Sequence, residues 1–298
     1  MTRVAIVGAG VSGLTCGVEL RKRGYNVTLF ARETRKTTSA VAAAIWFPYD
    51  VSPAEPETAI AWALQSYETF RELARDPATG VSMVEFHVRG DAPPEWTNRI
   101  ETMQPRVVED GYTVVVPLIE TPVYLPWLAA GLTIERRTIA HFDELAEFDL
   151  IVNCAGLGAR ELCNEWNDLH PGRGVLLKAP YRGARMFTVA ATADHLTYIL
   201  TRGDDILLGG TNDQREDEDV DSEVTEAIYA RCAKLLPSLP AQYVTEVGFR
   251  PHRSRVRLAR SEGSRIIHNY GHGGAGVTVS WACAREVARL AGTEPAAR

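Results

Sequence analysis

The sequence predicts an α/β fold in which a parallel sheet with helices is interrupted and later resumed. Two observations carry this prediction. An apolar run at residues 3–7 leads through glycines into a helical pattern and a second apolar run at 26–30, which is a βαβ unit. A further apolar run at 150–154 meets another glycine turn at 155–158, as a strand of the same sheet does when it reaches a ligand. Between and after these runs, the pattern changes to that of antiparallel strands.

The remaining elements are predicted from hydrophobic periodicity and from the positions of glycine and proline, which interrupt helices and strands. The helix that opens after the first glycine turn ends at the basic turn before Gly24. Helical composition predicts helices at 56–74, 223–236 and about 277–290. Strand-like runs lie at 83–88, 112–118, 132–135, 174–178, 196–200, 206–210 and 265–269. The acidic run at 216–221 indicates a solvated loop.

Composition and charge narrow the class of function. The chain has 298 residues with 45% hydrophobic content and a formal charge of −6, so neither its size nor its charge indicates nucleic acid as a partner. No run approaches the roughly 20 apolar residues of a membrane helix. Five scattered cysteines, without C-x-x-C spacing, indicate reduced thiols and neither a disulfide framework nor a metal site. We expect a cytoplasmic protein that acts on a small molecule.

The glycines at the N-terminus have the spacing of a dinucleotide site. Gly8 allows a tight turn, Gly10 lets the backbone approach phosphates, and Gly13 lets the helix pack closely. Val11 and Ser12 open the helix, whose N-terminal amides attract the diphosphate. Because this pattern follows an apolar strand and begins a helix, it predicts a bound dinucleotide.

The second strand leaves the identity of that dinucleotide open. A ribose-binding carboxylate is expected at its end, but the sequence there is Phe30-Ala31-Arg32-Glu33, so the carboxylate is displaced or absent. Arg32 is therefore a candidate cofactor contact that could meet a 2′-phosphate. An NADP-dependent reductase stays open at this point.

Three further segments resemble the flavin-dependent D-amino-acid oxidase family. They are residues 37–49 (TTSAVAAAIWFPY), residues 248–258 (GFRPHRSRVRL) and residues 268–278 (HNYGHGGAGVT), which lead into Trp281. With the N-terminal turn and residues 152–156 (VNCAG), they span nearly the whole chain in the order found in that family.

The resemblance implies the cofactor FAD and a Rossmann-like FAD-binding domain interleaved with a mixed-sheet α+β substrate domain. The FAD-binding domain is expected at about 1–50, 131–180 and 250–298, and the substrate domain at about 51–130 and 181–249. Beyond the N-terminal turn, the resemblance implies cofactor contacts at Thr37, Thr38, Ala43, Ala44, Gly273, Gly276, Val277 and Thr278. Arg32 at the end of the second strand and Gly156 in the later glycine turn are candidate contacts from the sequence itself.

The resemblance also implies a substrate site. Arg250 would grip a carboxylate through two parallel hydrogen bonds, Tyr198 would bond the same carboxylate, and Gly274 would offer its carbonyl to the substrate amine. Tyr49 would form part of the pocket wall, where aspartate-selective relatives are expected to have histidine, which favours neutral D-amino acids. The second tyrosine of the family's site maps to Asp194, which predicts an altered lid and a more open pocket.

The expected reaction is oxidative deamination of a D-amino acid by hydride transfer to the flavin, with molecular oxygen as second substrate and 2-oxo acid, ammonia and hydrogen peroxide as products. No side chain is needed as a base, and His268 and His272 are expected to have structural roles. A glycine, sarcosine or D-aspartate oxidase and a catalytically silent flavin sensor are the alternatives. A homodimer is typical of such families, and the absence of a C-terminal Ser-Lys-Leu gives no support to peroxisomal import.

Overall fold

The structure, a computed structural model, describes residues 1–34, 37–191 and 196–293, so the predictions at Asp194 and at residues 294–298 lie outside the described residues. The α-helices are α1 (Val11–Lys22), α2 (Thr38–Val41), α3 (Pro56–Leu73), α4 (Thr121–Ala129), α5 (Ala159–Cys163), α6 (Ser222–Leu235) and α7 (Ser280–Ala291). The strands are β1 (Arg3–Val7), β2 (Asn26–Ala31), β3 (Val81–Arg89), β4 (Arg106–Val108), β5 (Gly111–Ile119), β6 (Thr133–Arg136), β7 (Leu150–Asn153), β8 (His170–Pro180), β9 (Phe187–Ala191), β10 (Leu196–Arg202), β11 (Asp205–Gly209), β12 (Val244–Arg260) and β13 (Ile266–His272).

These strands form one sheet in the order β4-β5-β3-β9-β10-β11-β8-β12-β13-β7-β1-β2-β6. From β13 to β6 every neighbouring pair is parallel, and we call these five strands the parallel half. The eight strands from β4 to β12 are antiparallel except for the β3–β9 pair, and we call them the mixed half. The two halves meet at the antiparallel pair of β12 and β13.

The parallel half has the burial expected of strands covered on both faces. Val4, Ala5 and Ile6 are each fully buried in β1. The helix α7 packs on α1 and α3, and the Trp281 ring nitrogen donates to the Tyr124 hydroxyl at 2.9 Å. These helices close one face of the parallel half and fix the N-terminus of α1 against the cleft described below.

Most predicted elements are confirmed, and the exceptions have physical reasons. The 17-residue strand β12 was not predicted, since its five arginines and Pro251 obscure the alternation of buried and exposed residues. The helix α4 was missed because Pro126 lies in its interior, where proline argues against a helix. The last helix begins at Ser280 and not near Val277, because Gly273–Ala275 first form a 3₁₀ turn.

The five cysteines are free thiols. Within the described part of the chain, no helix has both the length and the apolarity needed to cross a membrane.

Candidate active site

A cleft of about 1430 Å³ is lined by residues of both halves of the sheet. This volume exceeds the roughly 300–1,000 Å³ of sites for drug-sized ligands, so a dinucleotide and a small substrate can share it. The predicted site residues that line the cleft are Gly8, Gly10, Val11, Ser12, Arg32, Thr37, Thr38, Tyr49, Ala43, Ala44, Gly156, Tyr198, Arg250, Gly273, Gly274, Gly276, Val277 and Thr278. Gly13 is the predicted residue that does not line it.

The glycine turn at the start of α1 is shaped by close backbone contacts. Gly8 has φ +107°, and a Cβ there would lie 2.3 Å from the carbonyl oxygen of Cys154, just after β7. A Cβ on Gly13 would lie 1.9 Å from the Gly8 carbonyl oxygen, so Gly13 permits the close packing of helix and turn. Gly10 has no side chain to cap α1, so apart from the Val11 amide the helix N-terminus is open to the cleft.

Ser39 is a further residue of this end of the cleft, and it was not predicted from the sequence. Its Oγ accepts a hydrogen bond from the Val11 amide at 3.0 Å, so it joins α2 to the first turn of α1. A Cβ on Gly10 would lie 3.2 Å from the same Oγ. The signal in the sequence is its place inside residues 37–49, a segment that the family resemblance assigns to the cofactor.

The segment around α2 is fixed by its own side chains. The Thr37 side chain caps α2 by accepting from the Ala40 amide at 3.2 Å, and the Thr38 hydroxyl donates to the Phe249 carbonyl at 2.8 Å. Ala44 has φ +53°, a left-handed conformation that is uncommon for alanine, and it lines the cleft beside Ala43. The two threonine hydroxyls therefore position the segment, while its backbone faces the cleft.

The far end of the cleft lies at the end of β2. Arg32 is exposed there, and Glu33, two residues after Ala31, lines the cleft next to it. Gly156 follows β7 with φ +56°, and no atom lies within 4 Å of the place that a Cβ would take, so backbone conformation accounts for this glycine.

The second glycine turn packs against Tyr49 and Asp50. Gly273 has φ +51°, and a Cβ there would lie 2.1 Å from the Asp50 carbonyl oxygen, to which the Gly274 amide donates at 3.1 Å. By contrast, a Cβ on Gly276 would meet protein atoms no nearer than 3.6 Å. Contacts within the protein therefore do not require a glycine at position 276. The absence of a side chain there leaves room in the cleft for a ligand.

Val277 and Thr278 complete this turn. Both are buried, and the Thr278 Oγ1 donates to the Phe47 carbonyl at 3.0 Å and accepts from the Phe47 amide at 3.2 Å. The turn and the segment ending at Tyr49 are thereby joined.

The two histidines near this turn have structural hydrogen bonds, as expected. His272 bonds Asn269 Oδ1 through Nε2 at 2.9 Å, and burial lowers its pKa to about 4. His268 bonds Ser261 through Nε2 at 2.8 Å, and burial, with Arg257 nearby, lowers its pKa to about 4. Both imidazoles are therefore neutral at pH 7.

Arg250 differs from the other arginines of β12. Arg253 and Arg257 pair with Glu165, and Arg255 pairs with Glu55. Arg250 instead donates through one Nη1 to the Thr211 carbonyl at 3.1 Å and to Asn212 Oδ1 at 3.3 Å. No carboxylate of the described residues forms an ion pair with it, so its guanidinium can receive one from a ligand in the cleft.

Two glycines make room for Arg250 and Tyr198 to lie flat on the sheet. A Cβ on Gly174 would lie 2.7 Å from both terminal nitrogens of Arg250. A Cβ on Gly209 would lie 1.9 Å from Cζ of Tyr198, its register partner on β10. The sequence does not predict the role of these glycines, because that role depends on the register between neighbouring strands of the sheet.

The two tyrosines of the site remain protonated at neutral pH. Burial raises the pKa of Tyr198 to about 12, although Arg250 acts in the opposite direction. Burial also raises the pKa of Tyr49, against the effect of Arg250. Each hydroxyl can therefore donate a hydrogen bond to an anionic ligand.

An apolar row continues from Tyr198 along the same face of the sheet. Tyr198 pairs with Val189, which pairs with Val88, which in turn pairs with Tyr112, and all four line the cleft. Register partners share one face of a sheet, so these side chains form an apolar wall beside the guanidinium.

The sequence matches the family DAO, described as FAD dependent oxidoreductase, over residues 3–109 and 129–290. It is 41% identical to a D-amino-acid oxidase of Rubrobacter xylanophilus, over 98% of this chain and 96% of the relative. It is 42% identical to a D-amino-acid oxidase of Streptomyces coelicolor, over 97% of this chain and 96% of the relative.

Among solved structures, the glycine oxidase from Geobacillus kaustophilus is similar with a TM-score of 0.77 and 20% sequence identity. The match covers 100% of this chain and 97% of that one. At this identity the likeness establishes the fold.

Proposed function

This chain belongs to the DAO family of FAD-dependent oxidoreductases, and from that premise we propose that it catalyses the oxidative deamination of D-amino acids. The products are the 2-oxo acid, ammonia and hydrogen peroxide, with molecular oxygen as second substrate. Its similarity to two D-amino-acid oxidases over nearly the full length supports this substrate class.

The observation that carries the proposal is that, among the residues the structure describes, the Arg250 guanidinium bonds only neutral acceptors. It lies in the same cleft as the two glycine turns, without a carboxylate partner among the described residues, and rests on Gly174. A ligand carboxylate can therefore form parallel hydrogen bonds to it, which determines both orientation and affinity.

The residues of the cleft fit FAD. The open N-terminus of α1 would hold the diphosphate, and the 273–278 turn would border the flavin, where Gly276 leaves space. Bound FAD would supply the two-electron oxidant for the substrate Cα–H bond and would pass the electrons on to oxygen.

The protein's own part in the reaction is to bind and orient the substrate. Arg250 would hold the carboxylate, and the protonated Tyr198 hydroxyl would donate to it. The Gly274 carbonyl would accept a hydrogen bond from the neutral amine. These contacts fix two substituents of Cα, the carboxylate and the amine. With the side chain directed to the apolar wall, the Cα hydrogen faces the cofactor in one enantiomer and not in the other.

The wall of the cleft favours a neutral side chain. Tyr49 stands near Arg250, and the row of Val189, Val88 and Tyr112 has no charged side chain. An anionic side chain in this row would lose its hydration without gaining a partner.

A peroxide assay with a panel of substrates tests the proposal. We expect turnover of neutral D-amino acids, with little or none of their L-forms, of D-aspartate, of glycine or of sarcosine. Preference for glycine or sarcosine would support the alternative amine oxidase, and preference for D-aspartate would contradict the interpretation of Tyr49. Absence of turnover with every substrate in a yellow protein would support a flavin sensor. The cytoplasmic location, the homodimer and the domain boundaries stay predictions.

A further inference from the structure

Asn212 lies between the Arg250 guanidinium and a carboxylate that could capture it. Its Oδ1 accepts from Arg250 Nη1 at 3.3 Å, and its Nδ2 donates to Asp50 Oδ2 at 3.3 Å. The same Asp50 oxygen lies 3.3 Å from His252 Nδ1. The neutral amide of Asn212 thus separates an arginine from an aspartate. Its oxygen accepts from the guanidinium, and its NH₂ group donates to the carboxylate.

The backbone that presents Asn212 is anchored by a buried arginine. Arg173 is 1% exposed and bonds the Asp213 carboxylate through Nε at 3.0 Å and Nη2 at 3.2 Å. The main chains of Arg173 and Asp213 also exchange two hydrogen bonds, at 2.7 and 3.0 Å. Although Asn212 is itself exposed at the rim of the site, the adjacent residue is firmly held.

The main chain of Asp50 is held at the substrate end of the cleft. Its main-chain carbonyl accepts from the Gly274 amide, so it is fixed beside Tyr49 at the substrate end. An aspartate that reached Arg250 would form a charge-assisted pair and would compete with the substrate carboxylate.

We propose that Asn212 is a positioning residue that keeps Asp50 away from Arg250 and so leaves the guanidinium available to the substrate carboxylate. This inference rests on the proposed function, in which Arg250 binds the carboxylate. Asn212 acts through Arg250 and Asp50, and it supplies no group to the reaction.

A double-mutant cycle between Asn212 and Asp50 tests the proposal. In the holoenzyme, Asn212→Ala should weaken the binding of benzoate, a carboxylate without an amine to oxidise, by about tenfold, because Asp50 is released toward Arg250. In the Asp50→Asn background, the same change should alter binding less than about twofold. Asparagine suits this background because Asp50 has φ +51°, which asparagine tolerates.

Benzoate binding is followed by the change that it causes in the flavin absorption spectrum, so the test does not depend on turnover. If wild type binds benzoate but oxidises no D-amino acid, the proposed reaction fails while the cycle can still be measured. For a substrate that is oxidised, KM should rise in Asn212→Ala with little change in kcat.

The control is Gln214→Ala, an exposed neighbour in the same loop, which should bind benzoate as wild type does. An equal loss of affinity for Asn212→Ala in both backgrounds would overturn the proposal, since it would mean that Asn212 acts independently of Asp50. Unchanged affinity in Asn212→Ala would overturn it as well.

Discussion

The two halves of the sheet contribute different kinds of group to the cleft. The parallel half offers backbone: the turn at Gly8 and Gly10, the open N-terminus of α1 and the conformation of Gly156. The mixed half offers side chains that lie across a sheet face, with Arg250 over Gly174 and Tyr198 over Gly209. A cofactor contact made by backbone depends on local sequence, whereas a substrate contact made by a side chain depends on the register of neighbouring strands.

Among the substitutions that compare the two halves, Arg250→Ala should have the largest effect on activity. Loss of the guanidinium removes a charge-assisted partner of the substrate carboxylate, and we expect kcat/KM to fall about a thousandfold. The purified protein should stay yellow, because Arg250 belongs to the mixed half. Steady-state kinetics and the visible spectrum measure both properties.

The matched control is Arg255→Ala on the same strand. Arg255 is exposed and pairs with Glu55 at 3.5 Å, so its removal should change kcat/KM little. Near-normal turnover in Arg250→Ala would refute the carboxylate clamp.

A substitution in the parallel half should affect the cofactor first. In Gly8→Ala, the new Cβ would lie 2.3 Å from the Cys154 carbonyl at a φ of +107°, so the turn must move. We expect FAD affinity to fall about a hundredfold, as measured by titration of the apoprotein.

Gly10→Ala should lower FAD affinity less than Gly8→Ala does, since its Cβ would meet only the Ser39 hydroxyl, at 3.2 Å. Gly24→Ala is the control for backbone strain alone, because Gly24 has φ +84° but no atom within 4 Å of an added Cβ. If Gly8→Ala and Gly24→Ala bound FAD equally well, the close approach at Gly8 would have no role in binding.

A glycine substitution in the mixed half should leave the cofactor in place. Gly174→Ala would bring a Cβ to 2.7 Å from both terminal nitrogens of Arg250 and displace the guanidinium. We expect KM for a D-amino acid to rise about tenfold while FAD affinity is unchanged. Loss of FAD in this variant would contradict the assignment of cofactor binding to the parallel half and of substrate binding to the mixed half.

The smallest effect on activity should come from the buried histidines. The pKa of His272 is lowered from 6.5 to about 4 in the folded chain, so below pH 6.5 the unfolded chain binds a proton that the folded chain does not. The free energy of unfolding is therefore undiminished above pH 6.5 and falls as the pH drops toward 4, by about 3 kcal/mol for this residue.

Chemical denaturation between pH 7 and 4 measures this change, and His272→Gln should show a weaker dependence on pH. If the variant kept the full dependence, the burial of a neutral His272 would not be its cause. In wild type, kcat/KM should show no step from this group between pH 5 and 8.

The same contrast explains what the sequence could predict. The βαβ unit at residues 3–31 and the turn at 273–278 follow from local periodicity and glycine spacing. The resemblance of residues 248–251 to a known family pointed to Arg250. The roles of Gly174, Gly209 and Asn212 were not predicted, since each depends on a partner that lies 11 to 162 residues away along the chain.

The loop after β11 shows the limit of an interpretation by composition. Its acidic residues 216–219 are exposed, as predicted. The loop is nevertheless anchored by the buried Arg173, 46 residues before Asp219, which donates to the Asp219 carbonyl at 2.7 Å. A run of charges indicates solvent exposure, but it does not reveal which distant residue orders the backbone.

We propose that a flavin and a carboxylate-binding arginine share one cleft for the oxidation of D-amino acids. The most direct measurement is the visible absorption spectrum of the purified protein under anaerobic conditions, before and after addition of a mixture of neutral D-amino acids, with the L-forms as control. We expect a yellow protein that is bleached by the D-forms and recovers its colour when oxygen is admitted. A colourless protein, or a yellow one that the D-forms do not bleach, would contradict it.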